Sequence, residues 1–189
     1  ELDADDQALR ERIRAASEAH QAERERREKE AREEKARLAL RELEQAETSK
    51  ELVELIDLSG RLAQTHTGAE VEPEILRRRM MYLRRLDERD IEQARDYSKR
   101  NPTNFFLRKQ KYQHYLDHHG EGAYVTEART ALRTIDQDWE RHDYRAIREL
   151  FVNTPEAVSD LRSRSRTYLQ AHPTGKHREH VQALLTFLD

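Results

Sequence analysis

The sequence contains no cysteine. Disulfides, thiolate metal sites and cysteine nucleophiles are excluded together. The absence fits a reducing compartment, and a cytoplasmic location is favoured. Only 5 glycines, 4 prolines and 4 phenylalanines occur among 189 residues. Alternating runs of valine and isoleucine, which strands would need, are missing. No stretch approaches the roughly 18 apolar residues of a membrane span, and no secretory leader is visible. The chain opens at Glu1 without Met, which reads as a processed chain or a piece of a longer protein. Nor does one charge dominate: 35 basic residues stand against 38 acidic ones, a net charge of −3. A dedicated nucleic-acid binder shows a marked basic excess, so nucleic acid is not expected as a partner.

What the chain does have is charge in quantity. Charged residues make up 39% and the hydrophobic set 35%, a balance shifted toward long, solvated helices. The fold class read from this is all-α. A first helix is expected over about 4–48. Leu2, Leu9, Ile13, Ala16 and His20 follow a 7, 4, 3, 4 spacing and share one stripe. The stripe then fades into ERERREKEAREEK, where Ala31 is the only apolar residue. Glu23–Arg27, Glu25–Lys29, Glu28–Arg32 and Glu33–Arg37 are Glu-first i,i+4 pairs, each contributing ~0.2–0.5 kcal/mol. Such a helix needs little tertiary help. It either projects as a spacer or leans on the rest through a few Leu and Ala.

Beyond it the chain repeats. Leu62-Ala63-Gln64-Thr65-His66-Thr67-Gly68-Ala69, Tyr115-Leu116-Asp117-His118-His119-Gly120-Glu121-Gly122 and Tyr168-Leu169-Gln170-Ala171-His172-Pro173-Thr174-Gly175 stand about 53 residues apart. A fixed period of this kind marks stacked repeats. The last two copies align without gaps, with Asp90/Asp143, Pro102/Pro155, Tyr115/Tyr168, His119/His172 and Gly122/Gly175 identical. Projected once more, Leu38 falls on Ile91, Leu52 on Phe105 and Tyr82 on Ile135. The organisation expected is an extended charged helix over 1–32 and three divergent repeats over about 33–85, 86–138 and 139–189.

Each repeat divides into three helical segments. Asn101-Pro102 and Thr154-Pro155 break the chain, with Asn101 and Thr154 as candidate N-caps and Pro at the first helical position. The second helices then run over 102–118 and 155–171. Gly120, Gly122 and Gly175 are expected to supply positive φ in the turns. Asp136-Gln137-Asp138-Trp139 contains no breaker, so one long helix is expected over about 124–153, and another from Pro73 to about 99. Gly60, inside the 51–65 helix, marks close packing or a bend. Long and short helices packed antiparallel across short turns make a solenoid-like array. The last helix, over 176–188, keeps apolar residues on its stripe to its end, and is expected to continue or to pack on a following domain.

The phrase Tyr168-Leu169-Gln170-Ala171-His172-Pro173-Thr174-Gly175, followed by a periodic helix ending Ala183-Leu184-Leu185-Thr186-Phe187-Leu188, resembles the helix–turn–helix phrase of tetratricopeptide-like repeats. The resemblance extends over about 112–135 and 165–188. It implies a scaffold that binds proteins or peptides.

Candidate sites are few. Arg77 and Arg84 are seven apart, as are Arg78 and Arg85, so they form a basic stripe beside Leu76, Met80 and Leu83. This is either a docking face for an acidic peptide, phosphate group or RNA backbone, or a solvated face paired in part with Asp87, Glu88 and Asp90. His114 and His118, one turn apart with Asp117 nearby, are a usable ligand pair for zinc. Against zinc, His114 aligns with Thr167 and His118 with Ala171, whereas His119 recurs as His66 and His172 at helix ends. There it can bond the last carbonyls and complement the helix dipole. Capping is the expectation; His177 and His180, an i,i+3 pair, carry as little weight toward metal as His114 and His118, and no metal or cofactor is assigned. Trp139, Tyr144, Tyr115 and Tyr168 read as inter-helix packing. No phosphate loop, nucleophile elbow or His-Glu-x-x-His occurs, and no carboxylate stands in a context that would raise its pKa. No catalytic residue is assigned.

The reading is a non-enzymatic interaction or scaffold module with a protein or peptide partner. The alternative is a coiled-coil assembly or spacer element, forming a homodimer through the N-terminal helix.

Overall fold

The computed structural model describes residues 2–189, with side chains at 7 and 9–189; expectations for Glu1 and for the Leu2 side chain lie outside the described residues. The chain is all-helical: α1 (Leu2–Ala46), α2 (Leu52–Thr65), α3 (Glu72–Arg100), α4 (Phe105–His118), α5 (Val125–Asn153), α6 (Val158–Ala171) and α7 (Arg178–Leu188). No strand occurs among the described residues. None of the described helices is long and apolar enough to cross a membrane. The chain divides into two compact units, Glu1–Leu86 and Asp87–Asp189.

In the first unit, α1 has no buried residue from 9 to 32. Leu9 and Ile13 are 54% and 61% exposed. Burial begins where the composition turns apolar, at Ala36, Ala39, Leu43 and Ala46, a 3, 4, 3 spacing on one face. This face meets Leu55, Ile56 and Leu58 of α2 and Ile75 and Tyr82 of α3 in one core. Each large aliphatic side chain buried there contributes about 1.5–3 kcal/mol. Leu38 corrects the projected frame: it lies outside this face, 52% exposed, although a strict 53-residue period puts it on fully buried Ile91. Of the expected Glu-first pairs, Glu23–Arg27 forms at 2.7 Å. Glu33 and Arg37 turn instead to Glu70, one accepting from its backbone N–H, the other pairing with its carboxylate. Gly60 gives room to Arg79, whose guanidinium donates to the Ile56 carbonyl.

The second unit has two core clusters. Ile91 and Ala94 of α3 pack with Tyr112 and Tyr115 of α4 and Ala128 and Ile135 of α5. Ile147 of α5 packs with Tyr168 of α6 and Val181 of α7. Ala128 and Ile135 are seven apart and share a face. Ile147 comes twelve residues later, which turns the helix by about 120° and presents a different face to α6. One uninterrupted helix thus serves two clusters, which is why α5 runs to Asn153 without a breaker. On α7, Val181 and Leu185 are buried, whereas Phe187 is 79% exposed.

Two local expectations are corrected. Asn101 and Thr154 do not open the short helices; they close the long ones. Asn101 donates from both its backbone N–H and its side-chain amide to the Tyr97 carbonyl. The backbone N–H and the hydroxyl of Thr154 both donate to the Leu150 carbonyl. The residue before a proline avoids the helical region, so the chain turns there, and α4 begins only after Asn104, whose side chain accepts from the Leu107 N–H. The turn glycines are the second correction. Gly68, at φ 80°, is the one described residue with positive φ. Gly122 and Gly175 are required for another reason, which lies in the turns themselves.

Candidate functional site

Three turns join a short helix to the helix that follows it, α2 to α3, α4 to α5 and α6 to α7, and they close with the same backbone bonds. The N–H groups of His66, His119 and His172 donate to the carbonyls of Leu62, Tyr115 and Tyr168. The N–H groups of Ala69, Gly122 and Gly175 donate back to the three histidine carbonyls. Each turn is also held by a carboxylate from the preceding long helix. Glu33 accepts from the Glu70 N–H at 3.0 Å, Asp87 from the Ala123 N–H at 2.8 Å, and Glu140 from the His177 N–H at 2.9 Å.

At the second and third turns a tyrosine joins this clamp. The Tyr115 hydroxyl donates to Asp87 at 2.5 Å and accepts from the Tyr124 N–H at 3.1 Å. The Tyr168 hydroxyl donates to Glu140 at 2.7 Å. Here is the reason for the glycines. A Cβ at Gly122 would stand 2.5 Å from Asp87 Oδ1 and 2.6 Å from the Tyr115 hydroxyl. At Gly175 it would stand 2.9 Å from Glu140 Oε1 and 3.0 Å from the Tyr168 hydroxyl.

The histidine side chains complete the clamp, but not by bonding helix-end carbonyls as expected. His119 Nε2 lies 2.9 Å from Asp90, and His172 Nε2 3.0 Å from Asp143. Each ring also packs on its tyrosine, with centroids 4.9 Å apart. Burial, reinforced by the Asp87 carboxylate, pushes the Tyr115 hydroxyl up to about 12. Burial works to raise the Asp90 carboxyl, but hydrogen bonds from His119 and Arg89 outweigh it and hold the group below the usual range. Glu140 is lowered likewise: against burial stand the His177 N–H and the Tyr168 hydroxyl. A proton-transferring group needs a hydrogen-bonding position open to a substrate. The clamp directs its donors and acceptors at one another, so its chemistry is to hold a turn.

The arginine stripe lies on the N-terminal half of α3, and its four members part company. Arg78, its side chain 18% exposed, bonds Glu74 at 2.8 Å, and Glu44 of α1 and Glu47 just past its end at 2.9 Å each. Tyr82 donates to Glu47 as well. That hydroxyl and the Arg78 guanidinium hold the Glu47 carboxyl below the usual range. Arg78 is thus a tie within the first unit. Arg77 is exposed and pairs with Glu74 at 2.7 Å; with Arg78 it draws the Glu74 carboxyl down to about 2. Arg84 and Arg85 are exposed. Beside them stand Leu76 and Met80, 42% and 64% exposed. The face presented to solvent is therefore two apolar side chains with Arg77 and Arg84 beside them, while Arg85, five residues beyond Met80, is turned about 140° round the helix from it.

His114 and His118 lie on the exposed side of α4, their rings 4.1 Å apart. No group of three or more metal-ligating side chains converges among the described residues. His177 stacks on Tyr144 at 3.9 Å, and Trp139 bridges Phe105 and His172 at 6.2 and 5.6 Å, so these rings serve packing. In the hollow lined by Ser98, Arg108, Tyr112, Glu127 and Thr130, Arg108 donates to Ser98 and Glu127 is held in a fork by Arg95. Sequence reasoning missed Asp87 and Glu140, because one is Asp and the other Glu. The available signal was an acid 28 residues ahead of each tyrosine.

Comparison with known proteins adds nothing to this geometry: no family model, no curated protein and no solved structure matches the chain.

Proposed function

We propose that the chain is a non-enzymatic interaction module, in which tetratricopeptide-like repeats over about 33–85, 86–138 and 139–189 form the scaffold. The turn bonds shared at His66, His119 and His172 support the repeat reading. One observation carries the binding reading: Leu76 and Met80 stand 42% and 64% exposed, with Arg77, Arg84 and Arg85 exposed on the same half of α3. Apolar anchors flanked by guanidinium groups fit an acidic amphipathic helix, whose leucines would cover Leu76 and Met80 while its carboxylates meet the arginines. Arg78 acts from behind, fixing α3 against α1. The test is fluorescence anisotropy with a labelled Glu/Leu amphipathic peptide. Met80→Glu and Arg84→Glu each weaken binding about tenfold or more, a loss of about 1.4 kcal/mol. Binding unchanged in both variants would remove this face from the proposal.

A second reading rests on a different observation, the exposure of Leu9 and Ile13. In it α1 pairs with a second copy, and the repeats decorate the end of a short coiled coil. Mass by light scattering decides between the two. A dimer that becomes a monomer when the chain is started near Glu33 favours assembly; a monomer in both forms leaves α1 as a spacer.

A further inference from the structure

We propose that His114 and His118 form a two-imidazole binding site for a late first-row divalent cation: Cu2+, Ni2+ or Zn2+. The two lie four residues apart on α4, hence on one face. Both side chains are exposed, and their ring centroids are 4.1 Å apart. Proximity alone would be ordinary for such spacing. The second observation is the tautomer. His118 Nδ1 lies 2.8 Å from the His114 backbone carbonyl. A carbonyl oxygen only accepts, so Nδ1 carries the hydrogen, and in the neutral ring the lone pair sits on Nε2. A metal-ligating histidine is oriented in this way, with one nitrogen donating to a carbonyl and the other left to ligate. Here the carbonyl belongs to the partner ligand, so the bond that sets the tautomer also ties the two residues together.

The other histidines of the second unit mark the contrast. His119 and His172 have Nε2 engaged by Asp90 and Asp143. His142 Nδ1 is paired with Asp143. His177 stacks on Tyr144, and its ring is 6.1 Å from that of His180. Around the His114 side chain lie Gln110, Lys111, Gln113 and Asp117. Lys111 points its ammonium over the Tyr97 ring, 5.9 Å from the centroid, and Gln113 holds Asp117 at 2.9 Å. The site is at the C-terminal end of α4, where the helix dipole favours positive charge.

Two imidazoles with water in the remaining positions select by ligand type. Nitrogen donors suit Cu2+, Ni2+ and Zn2+, in the usual order with Cu2+ strongest, whereas Ca2+ and Mg2+ require oxygen. The chelate spans one turn of α4 and exists only when that turn is helical. Binding therefore raises the thermal stability of the chain by mass action.

The test is calorimetric titration of CuCl2, NiCl2 and ZnCl2 into the untagged full chain, with Cu2+ electron paramagnetic resonance as a second readout. One saturable site per chain is expected, with Cu2+ bound most tightly and a spectrum of two imidazole nitrogens. His114→Ala and His118→Ala should each weaken Cu2+ binding at least about tenfold, while His177→Ala leaves it unchanged. Both variants change exposed residues, and far-ultraviolet circular dichroism checks their fold. Affinity retained in the His114→Ala and His118→Ala chains, or a single coordinated nitrogen in the unaltered one, would overturn the assignment.

Discussion

The turn after α2 and the turns after α4 and α6 share their backbone bonds and differ in what stands behind them. Behind the later two is a tyrosine hydroxyl set against a carboxylate. Behind the first is Leu62, and Ala69, buried, takes the position of Gly122 and Gly175. These two differences are one. Where no hydroxyl and carboxylate meet, a methyl group fits; where they do, it cannot. Glycine at these turns answers to a neighbouring polar group, because none but Gly68 has a positive φ. The comparison also separates two ways of ending a helix. The first turn relies on backbone geometry and a half-buried Glu33; the later ones add buried and part-buried tyrosine–carboxylate bonds between segments 28 residues apart.

The largest effect should come from forcing the first turn's residue onto the second. Gly122→Ala brings a methyl within 2.5 Å of Asp87, and overpacking of this kind costs about 1–3 kcal/mol. Gly175→Ala, with contacts at 2.9–3.0 Å, should cost less, and urea unfolding measures both. A Gly122→Ala chain as stable as the parent would dissolve the distinction between the turns.

Removing the hydroxyl instead sharpens it. Tyr115→Phe loses a buried hydrogen bond, at about 0.5–1.5 kcal/mol, and the unmet Tyr124 N–H adds a further share. It also removes one of the two closest contacts of a new Cβ, the hydroxyl at 2.6 Å, and leaves the Asp87 oxygen at 2.5 Å. Gly122→Ala should therefore cost less in the Tyr115→Phe background than alone, and a double-mutant cycle reads that coupling. Strict additivity would mean the glycine and the hydroxyl are independent.

Proton linkage gives a third probe. Asp90 and Glu140 have folded pKa values below their ordinary ones. Their contribution is present above the ordinary carboxylate range and lost as pH falls through the folded values. Tyr115 is raised from 10.0 to about 12, so its contribution is full below pH 10 and lost as pH rises toward 12. Melting temperature should fall on both the acid and the alkaline flank. Tyr115→Phe should lessen the alkaline fall, to which the likewise raised Tyr82 and Tyr168 still contribute, and leave the acid one; an unchanged alkaline fall would count against the clamp's role.

The smallest effect belongs to α1. Glu23→Gln loses the pairs to Arg26 and Arg27, 2.9 and 2.7 Å. About 0.2–0.5 kcal/mol of helix stability per pair is at stake, and the loss fades in high salt. Circular dichroism of a peptide covering 9–32 is the measurement.

The helices were legible because their signals are local. The predicted 124–153 helix is α5 within a residue, and the helix expected from Pro73 to about 99 is α3 within a residue at each end. Apolar spacing, the absence of breakers and the Asn-Pro and Thr-Pro breaks act within a few residues of where they are read. The 53-residue phrase located the turns. It misjudged their chemistry, since Gly and His have ready local explanations, positive φ and capping, and the carboxylates they meet lie 29 to 35 residues away. Leu38 failed similarly: identity of spacing stood in for the face that α1 presents.

Helix content, the limits of the long helices and turn positions follow from the chain alone, because hydrogen bonds four residues apart and the φ of proline are set by neighbours in sequence. Which acid meets which tyrosine, why Ala69 fits where Gly122 must be glycine, and why Arg78 turns inward while Arg77, Arg84 and Arg85 face water were decided only when the helices packed. Asp and Glu serve equally in such a clamp, and one guanidinium looks like another in a run of four. Distance in space separates them, and nothing local in the sequence records it.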